Sequence, residues 1–300
     1  IRANTPYLVH AEDTDIRDLT VNNFTFFTNR TANPIMTTGT GADDLSPAAT
    51  NVGWVSLVQL ANEKEYQVNV SVNGGTTTQL EHTAGTGNLD ADAILDGLIA
   101  DLPTGFTATK VGNGFQIDGG ANEFTLDTTA PALIQCFTDT VQNIALLPTQ
   151  CVHGYKVEIA NSENTDDNYF VEFVGRNDQN GVGVWEETVG FNTRLTIDDH
   201  TMPHQMVRMT DGTFVVQPIN YESRLVGDDT SNPPPSFIGG YTPTNVEDPQ
   251  ERPNATINNI VLFRNRLGFL SGQNVILSKP GDFFNFFNTT ALTVTPEDPI

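Results

Sequence analysis

Apolar and polar residues alternate along this chain in short runs that close on Gly, Asn or Pro. A period of two commits such runs to strands rather than helices. In Tyr66–Val72, residues 66, 68, 70 and 72 are apolar, while Gln67, Asn69 and Ser71 face the other way. Asn73-Gly74-Gly75 supplies a turn tolerant of positive φ, and a Thr-rich return run follows from Thr76 to His82. The same pattern predicts a hairpin of 18–21 with 24–28 about Asn22-Asn23. It also predicts strands at 52–60, 155–159, 169–174, 183–187, 207–209 and 213–218. One stretch changes period. After Asn88-Leu89-Asp90, residues Ile94, Leu95, Leu98, Ile99 and Leu102 recur at helical spacing until Pro103 stops them. A hairpin of 106–111 with 115–118 about Gly112-Asn113-Gly114 then gives 63–127 the order ββαββ, with the helix covering one sheet face.

The most regular pattern comes late. Runs at 260–263, 267–270 and 275–278, broken at Arg264-Asn265-Arg266 and Ser271-Gly272-Gln273-Asn274, predict a three-stranded meander, the shape of most of a propeller blade. The fold class expected is mainly β: a propeller-like or β-meander domain with an inserted small ββαββ domain. Residues 1–62 would be a β segment of the main body and 63–127 the insert. Residues 128–300 would be a β-rich, propeller-like domain incomplete at its C-terminus. Met36–Thr50, rich in Thr, Gly, Ala and Asp, reads as a mobile loop. Asn232–Ser236 reads as a rigid Pro-rich connector, and Gly239–Asn254 as an acidic loop.

Charge narrows the function. Fourteen Lys and Arg against 37 Asp and Glu leave a formal net charge of -23. Nucleic-acid binders neutralise phosphates with Lys and Arg, so a general nucleic-acid binder is excluded. Charged residues make up 17% of the chain, against roughly 25% in ordinary soluble domains, so much of the surface is uncharged Thr and Asn. Such surface suits β structure and protein contacts. No run approaches the roughly 18 apolar residues of a membrane helix, and no signal-peptide pattern is visible. The chain opens Ile1-Arg2-Ala3-Asn4 and closes Pro296-Glu297-Asp298-Pro299-Ile300, which reads as an internal or processed piece. Cys136 and Cys151 lack zinc spacing and read as two half-buried thiols, with a disulfide closing their loop as the alternative that nothing indicates.

Several clusters invite chemistry. Asp198-Asp199-His200 with His204 resembles a metal set, but Pro203 opposes the helix that would bring both rings to one side. Asp166-Asp167, Glu186-Glu187 and Asp228-Asp229 offer paired carboxylates, whereas a glycosidase needs two across a cleft about 5 to 10 Å apart. Oxygens in Asn161–Asn168 suit calcium, without the spacing of an EF-hand. Gly112-Asn113-Gly114 is a hairpin turn and not a phosphate loop, since no helix follows. Trp54 or Trp185 would form the platform of an adhesion or carbohydrate-binding module, the alternative reading, with a tail-associated hydrolase ranked below it. Arg264 and Arg266 stand out in so acidic a chain. They either bridge acids on a neighbouring subunit or pair locally with their stems over aromatics. Phe283, Phe284, Phe286 and Phe287 cannot all face one side of a strand, so two are expected in the core.

Residues 260–287 read IVLFRNRLGFLSGQNVILSKPGDFFNFF and are followed by Glu297-Asp298-Pro299-Ile300. With Pro235–Gly239, Asp199–His204 and Val207–Phe214, these stretches resemble the tail tubular protein B family, the nozzle proteins of short-tailed bacteriophages. The likeness is specific across the C-terminal third and is one of organisation earlier in the chain. It implies a structural protein of the virion tail: a homo-hexamer forming a conduit for genomic DNA, which passes through the lumen without sequence-specific binding. It further implies a tail adaptor of the tail tubular protein A type and a tail fibre protein as partners, and no catalytic residue, cofactor or metal. The family-signature positions, structural or interfacial, are Pro203, His204, Phe263, Arg264, Asn265, Arg266, Leu267, Gly268, Phe269, Ser271, Asn274, Ser278, Gly281, Phe284, Asn285 and Phe286.

Overall fold

The computed structural model describes residues 6–10, 12–21, 24–73, 75–87, 89–160, 168–239 and 255–300. In chain order the strands are β1 (Ile16–Val21), β2 (Phe24–Asn29), β3 (Val52–Leu57), β4 (Glu65–Val72) and β5 (Thr77–Thr83). The helix α1 (Ala91–Ala100) follows, then β6 (Thr107–Val111), β7 (Gly114–Asp118), β8 (Phe124–Asp127), β9 (Ile134–Phe137) and β10 (Thr140–Val141). Next come β11 (Gln150–Cys151), β12 (Lys156–Ile159), β13 (Tyr169–Gly175) and β14 (Gly181–Thr188). The last are β15 (His204–Arg208), β16 (Phe214–Pro218), β17 (Asn259–Phe263), β18 (Arg266–Ser271) and β19 (Asn274–Leu277). The mainly β expectation holds. No helix among the described residues is long and apolar enough to cross a membrane.

Two compact units divide the chain. One joins Ile1–Pro47 to Val189–Ile300, and the other, Ala48–Thr188, is inserted between them in sequence. The segment 63–127 lies within this larger insertion.

In the unit Ala48–Thr188, the order ββαββ is present, but its two hairpins join different sheets. β4 pairs with β5 and β8, whereas β6 and β7 continue into β3 and β9. The reason is burial on both faces of β3. Val55 and Leu57 face a core with Tyr66, Val68, Val70, Leu80 and the α1 residues Ile94, Leu95 and Leu98. Trp54, from the other face, joins Phe137, Val157, Val171 and Phe173 against the five-stranded sheet β10-β12-β13-β14-β11. A sheet this apolar on both sides needs a cover on each. Asp90 starts α1 by accepting the Asp92 amide at 3.0 Å. Gly112, at φ 59°, turns β6 into β7. The two thiols are free, and burial pushes Cys136 and Cys151 up to about 12, so both stay protonated and inert at neutral pH.

In the other unit, β1-β2-β15-β16 is one antiparallel sheet and β17-β18-β19 another, sharing a core of Phe26, Ile219, Tyr221, Phe237, Phe269 and Phe286. β1 and β2 pair as expected, with Val21 opposite Phe24, while the turn residues Asn22 and Asn23 lie outside the described residues. The loop expected to be mobile is instead tied down. Met36 bridges Ile197 and Leu45 bridges Arg194. The buried Ser46 hydroxyl donates to Gly190 O at 2.6 Å and accepts from Thr193 N at 2.8 Å. Small polar residues suit such a loop because they can satisfy backbone groups under cover.

Asp90→Ala is expected to cost about 1 kcal/mol, the usual loss of an N-cap. A urea titration should show it as an earlier midpoint with unchanged slope.

Candidate functional site

The signature segment folds as the expected meander. β17 pairs with β18 from Asn259↔Leu270 to Phe263↔Arg266, and β18 with β19 from Gly268↔Leu277 to Ser271↔Asn274. Gly268 is closely packed: a Cβ there would meet Leu277 Cδ2 at 2.6 Å and Val261 Cγ2 at 2.7 Å, so those side chains would have to shift. Leu267 and Phe269 point into the core, where Phe269 stacks on Phe286 at 5.0 Å and Phe237 meets both rings edge-on at 5.3 Å. Ser278, fully buried, accepts the Leu267 amide through Oγ at 3.0 Å and donates to Lys279 O at 3.1 Å. At the β18–β19 turn, Ser271 is buried and Asn274 donates to Ser236 Oγ at 3.2 Å.

The two arginines part company. Arg266 is buried, and its guanidinium donates to the carbonyls of Ser278 and Asp298 at 2.7 Å each and of Pro296 at 2.6 Å. It therefore clamps residues 296–298 onto the meander. Beside the clamp, Leu277 and Ile300 exchange both backbone hydrogen bonds at 2.6 and 3.0 Å. The Asp298 side chain is also buried. Burial alone would raise its pKa, but amides of Thr289 and Thr295 and the Thr295 hydroxyl outweigh it and hold the carboxyl below 3.8. Arg264 instead is exposed in the turn, with its guanidinium 5.4 Å from the Phe263 ring. Arg264 and Asn265 have φ of 48° and 60°, left-handed backbone that costs an arginine about 1 kcal/mol. Gly281, at φ 79°, donates its amide to Asn265 O at 2.7 Å and braces the turn.

The phenylalanine run is not a strand. Residues 279–287 turn on themselves, with the Lys279 amide donating to Asn285 O at 3.0 Å. That turn lets Phe286 and Phe287 enter the core while Phe283 and Phe284 pack on its margin, Phe284 against Phe26 and Tyr221.

Pro203 and His204 lie apart from this segment, at the start of β15. Pro203 O accepts the Tyr221 hydroxyl at 3.2 Å. The buried His204 ring stacks on Tyr7 at 4.6 Å with Nδ1 2.9 Å from Met202 O. Burial also pushes Tyr7 up to about 12, and its hydroxyl accepts the Asn29 amide at 3.0 Å.

The other clusters do not assemble a reactive site. Asp198, Asp199 and His200 come together on one partly exposed turn, but His204 is turned away into its stack on Tyr7. Asp198 caps the His200 amide at 3.1 Å, and His200 Nδ1 lies 2.6 Å from Asp199 Oδ1. Glu186 and Glu187 project from opposite faces of β14. Asp228 accepts the amides of Thr230 and Ser231, and Asp229 pairs with the buried Arg224 at 2.7 Å. Asp166-Asp167, residues 161–167 of the calcium reading, and 240–254 of the acidic loop lie outside the described residues. Trp54 is fully buried, and Trp185 is half-buried with Nε1 donating to Pro148 O at 2.8 Å, so neither is a glycan platform. The sequence reading missed the Arg266 clamp, the Asp298 cap and the Arg224–Asp229 pair. Arg266 stands out as a signature position with local pairing as one of its readings, and Asp298 lies in the matching C-terminal stretch, but neither shows its partners in the sequence.

The buried charges of Arg266 and Asp298 thus serve the chain's own backbone. The family model for the bacteriophage nozzle protein matches residues 1–300, and the chain belongs to that family. It is 30% identical over 303 residues to the tail tubular protein gp12 of Escherichia phage T7, a match covering 95% of this chain and 35% of that relative. The chain thus spans little more than a third of the relative's length. Membership places it among structural components of the virion tail rather than among enzymes.

Two outcomes follow from the geometry. Arg266→Met should cost on the order of 3 kcal/mol, because it strands buried carbonyls. Hydrogen exchange at the Leu277 and Ile300 amides should quicken, and Arg266→Lys should not restore protection, lacking the planar fork. His204 gives the second. Burial lowers its pKa below 6.5, partly opposed by the Met202 carbonyl, so the unfolded chain takes up the proton first. Stability should be full above pH 6.5 and fall as pH drops below it, while Asp298 adds its own loss only below 3.8. Melting temperature against pH checks this, and His204→Gln should flatten the upper limb.

Proposed function

We propose that this chain forms part of the wall of a phage tail nozzle, a homo-hexameric ring through which genomic DNA passes during ejection. On this reading it meets a tail adaptor of the tail tubular protein A type and helps dock tail fibres. The observation that carries the reading is the family match along all of residues 1–300. Charge supports it. A lumen that lets DNA slide should not grip phosphates, and each Lys or Arg on a phosphate adds salt-dependent attachment. A net charge of -23 repeated around a ring favours a repelling, low-friction wall.

The antiparallel meander β17-β18-β19 supports a propeller-like body, since it has the shape of most of a blade. The signature positions divide on this reading. Arg266, Leu267, Gly268, Phe269, Ser278 and Phe286 are buried and serve the fold, while Phe263 and Arg264 are exposed and serve contacts.

Electron microscopy of the intact protein, alone and mixed with neighbouring tail proteins, tests the reading. A sixfold ring with a central channel is expected, together with no retention of duplex DNA at physiological salt. A monomer that stays monomeric with the adaptor present would sink it.

A further inference from the structure

We propose that Phe263 and Arg264, at the tip of the β17–β18 hairpin, are a docking contact for an acidic surface on a second copy of this chain. The inference rests on the ring reading and names one of its contacts.

The backbone singles out this tip. Three two-residue turns close hairpins among the described residues of β6–β7, β17–β18 and β18–β19. Two of them place glycine at the first, left-handed position, Gly112 at φ 59° and Gly272 at φ 57°. That is the unstrained choice. The third places Arg264 there at φ 48°. A turn needed only for folding is better served by Gly or Asn, so the fold does not account for this arginine.

Its side chain is also unclaimed, as are those of the exposed Arg17, Arg176 and Arg208, but among the described residues it alone lies over an exposed aromatic ring. Arg266 binds three carbonyls, Arg224 binds Asp229 and Arg194 binds Gly39 O. Among the described residues Arg264 has no hydrogen bond or carboxylate, only the Phe263 ring at 5.4 Å. Phe263 is itself 55% exposed, and the neighbouring Leu262 is 41% exposed. An aromatic ring with an arginine across its face is the composition of an interface anchor rather than of solvated surface. The tip is braced by the Gly281 amide on Asn265 O at 2.7 Å, so little freedom is lost on docking.

Charge selects the occupant. The chain carries 37 acids against 14 Lys and Arg, so a second copy offers more than twice as many carboxylates as cations. Repulsion between copies is screened beyond about 8 Å at physiological salt, which leaves local complementarity to decide where they touch. A cationic, apolar tip is where two such chains meet at least electrostatic cost. Duplex DNA also seeks arginine, but the guanidinium of this tip, set far from the exposed Arg17, Arg30, Arg176 and Arg208 in sequence, does not offset the repulsion of a chain at -23.

Arg264→Asn separates this role from a folding role, because Asn suits the left-handed turn. In the intact protein, melting temperature should hold or rise, while the assembly constant from sedimentation at physiological salt falls about tenfold or more. Phe263→Ala should weaken assembly similarly, and Arg264→Lys should lie between. Arg264→Asn and Phe263→Ala assembling like the wild type would overturn this contact and leave the ring reading standing. Weakened assembly with a lowered melting point for Arg264→Asn would overturn it in favour of a folding role. Wild-type protein that forms no ring, alone or with its neighbours, would remove both. Weakened binding to neighbouring tail proteins with self-assembly intact would replace the second copy as occupant.

Discussion

The guanidinium of Arg266 sits inside the protein with no carboxylate among its hydrogen-bond partners, and the C-terminal part of the described structure is arranged around it. Its charge is met by three backbone carbonyls, from Ser278, Pro296 and Asp298. Bonds from a charged donor are shorter and about twice as strong as neutral ones, and a planar fork fixes direction as well as distance. One side chain therefore joins the start of β18, the end of β19 and the stretch before Ile300. The Asp298 cap and the Leu277–Ile300 backbone pair both require the placement that the clamp imposes. A lysine would supply the charge without the geometry.

In the inserted unit the governing constraint is apolar burial on both faces of one strand. Trp54 and Val55 are adjacent in sequence and enter different cores. β3 thus cannot be an edge of a two-layer fold. It needs the helix-backed sheet β5-β4-β8 on one side and the five-stranded sheet on the other. This explains why the β6–β7 hairpin leaves its sequence neighbours β4 and β5 to extend β3. Both hairpins have alternating patterns, but beside β3 the β6–β7 hairpin sends Phe115 and Ile117 into the helix-backed core and Val111 into the core of Trp54.

Much of this was legible in the sequence because local rules act locally. Apolar runs broken by turn residues at 260–278 located all three meander strands to within a residue, and Asp90, Ile94, Leu98 and Pro103 bounded the helix. Sheet partnership was less legible, since the pattern of β6 and β7 does not say which edge they extend. The loop 36–50 was misread because Ser46 owes its burial to Gly190 and Thr193, more than a hundred residues away along the chain. The clamp was hidden for a related reason: its acceptors are main-chain oxygens, which every residue type carries. Arg264 and Arg266 look alike as letters. Register separates them, placing one in a left-handed turn and the other on a buried strand.

The buried arginines also shape the outside of the molecule. Arg224 is more awkwardly placed than Arg266. It has Asp229 at 2.7 Å and the Phe287 ring 5.2 Å away, but its Nε and Nη2 donors have no acceptor among the described residues. Burial pulls its pKa down while Asp229 pulls it up. Lys110 is closed between Asp92 and Asp96 on α1, at 3.1 and 2.7 Å. Of the few cations the chain has, several are therefore occupied by its own oxygens. Phosphate binding depends on cations free to displace counterions, so the capacity to hold DNA is lower than a count of 14 Lys and Arg suggests. These internal bonds withdraw Arg224 and Arg266 from the surface.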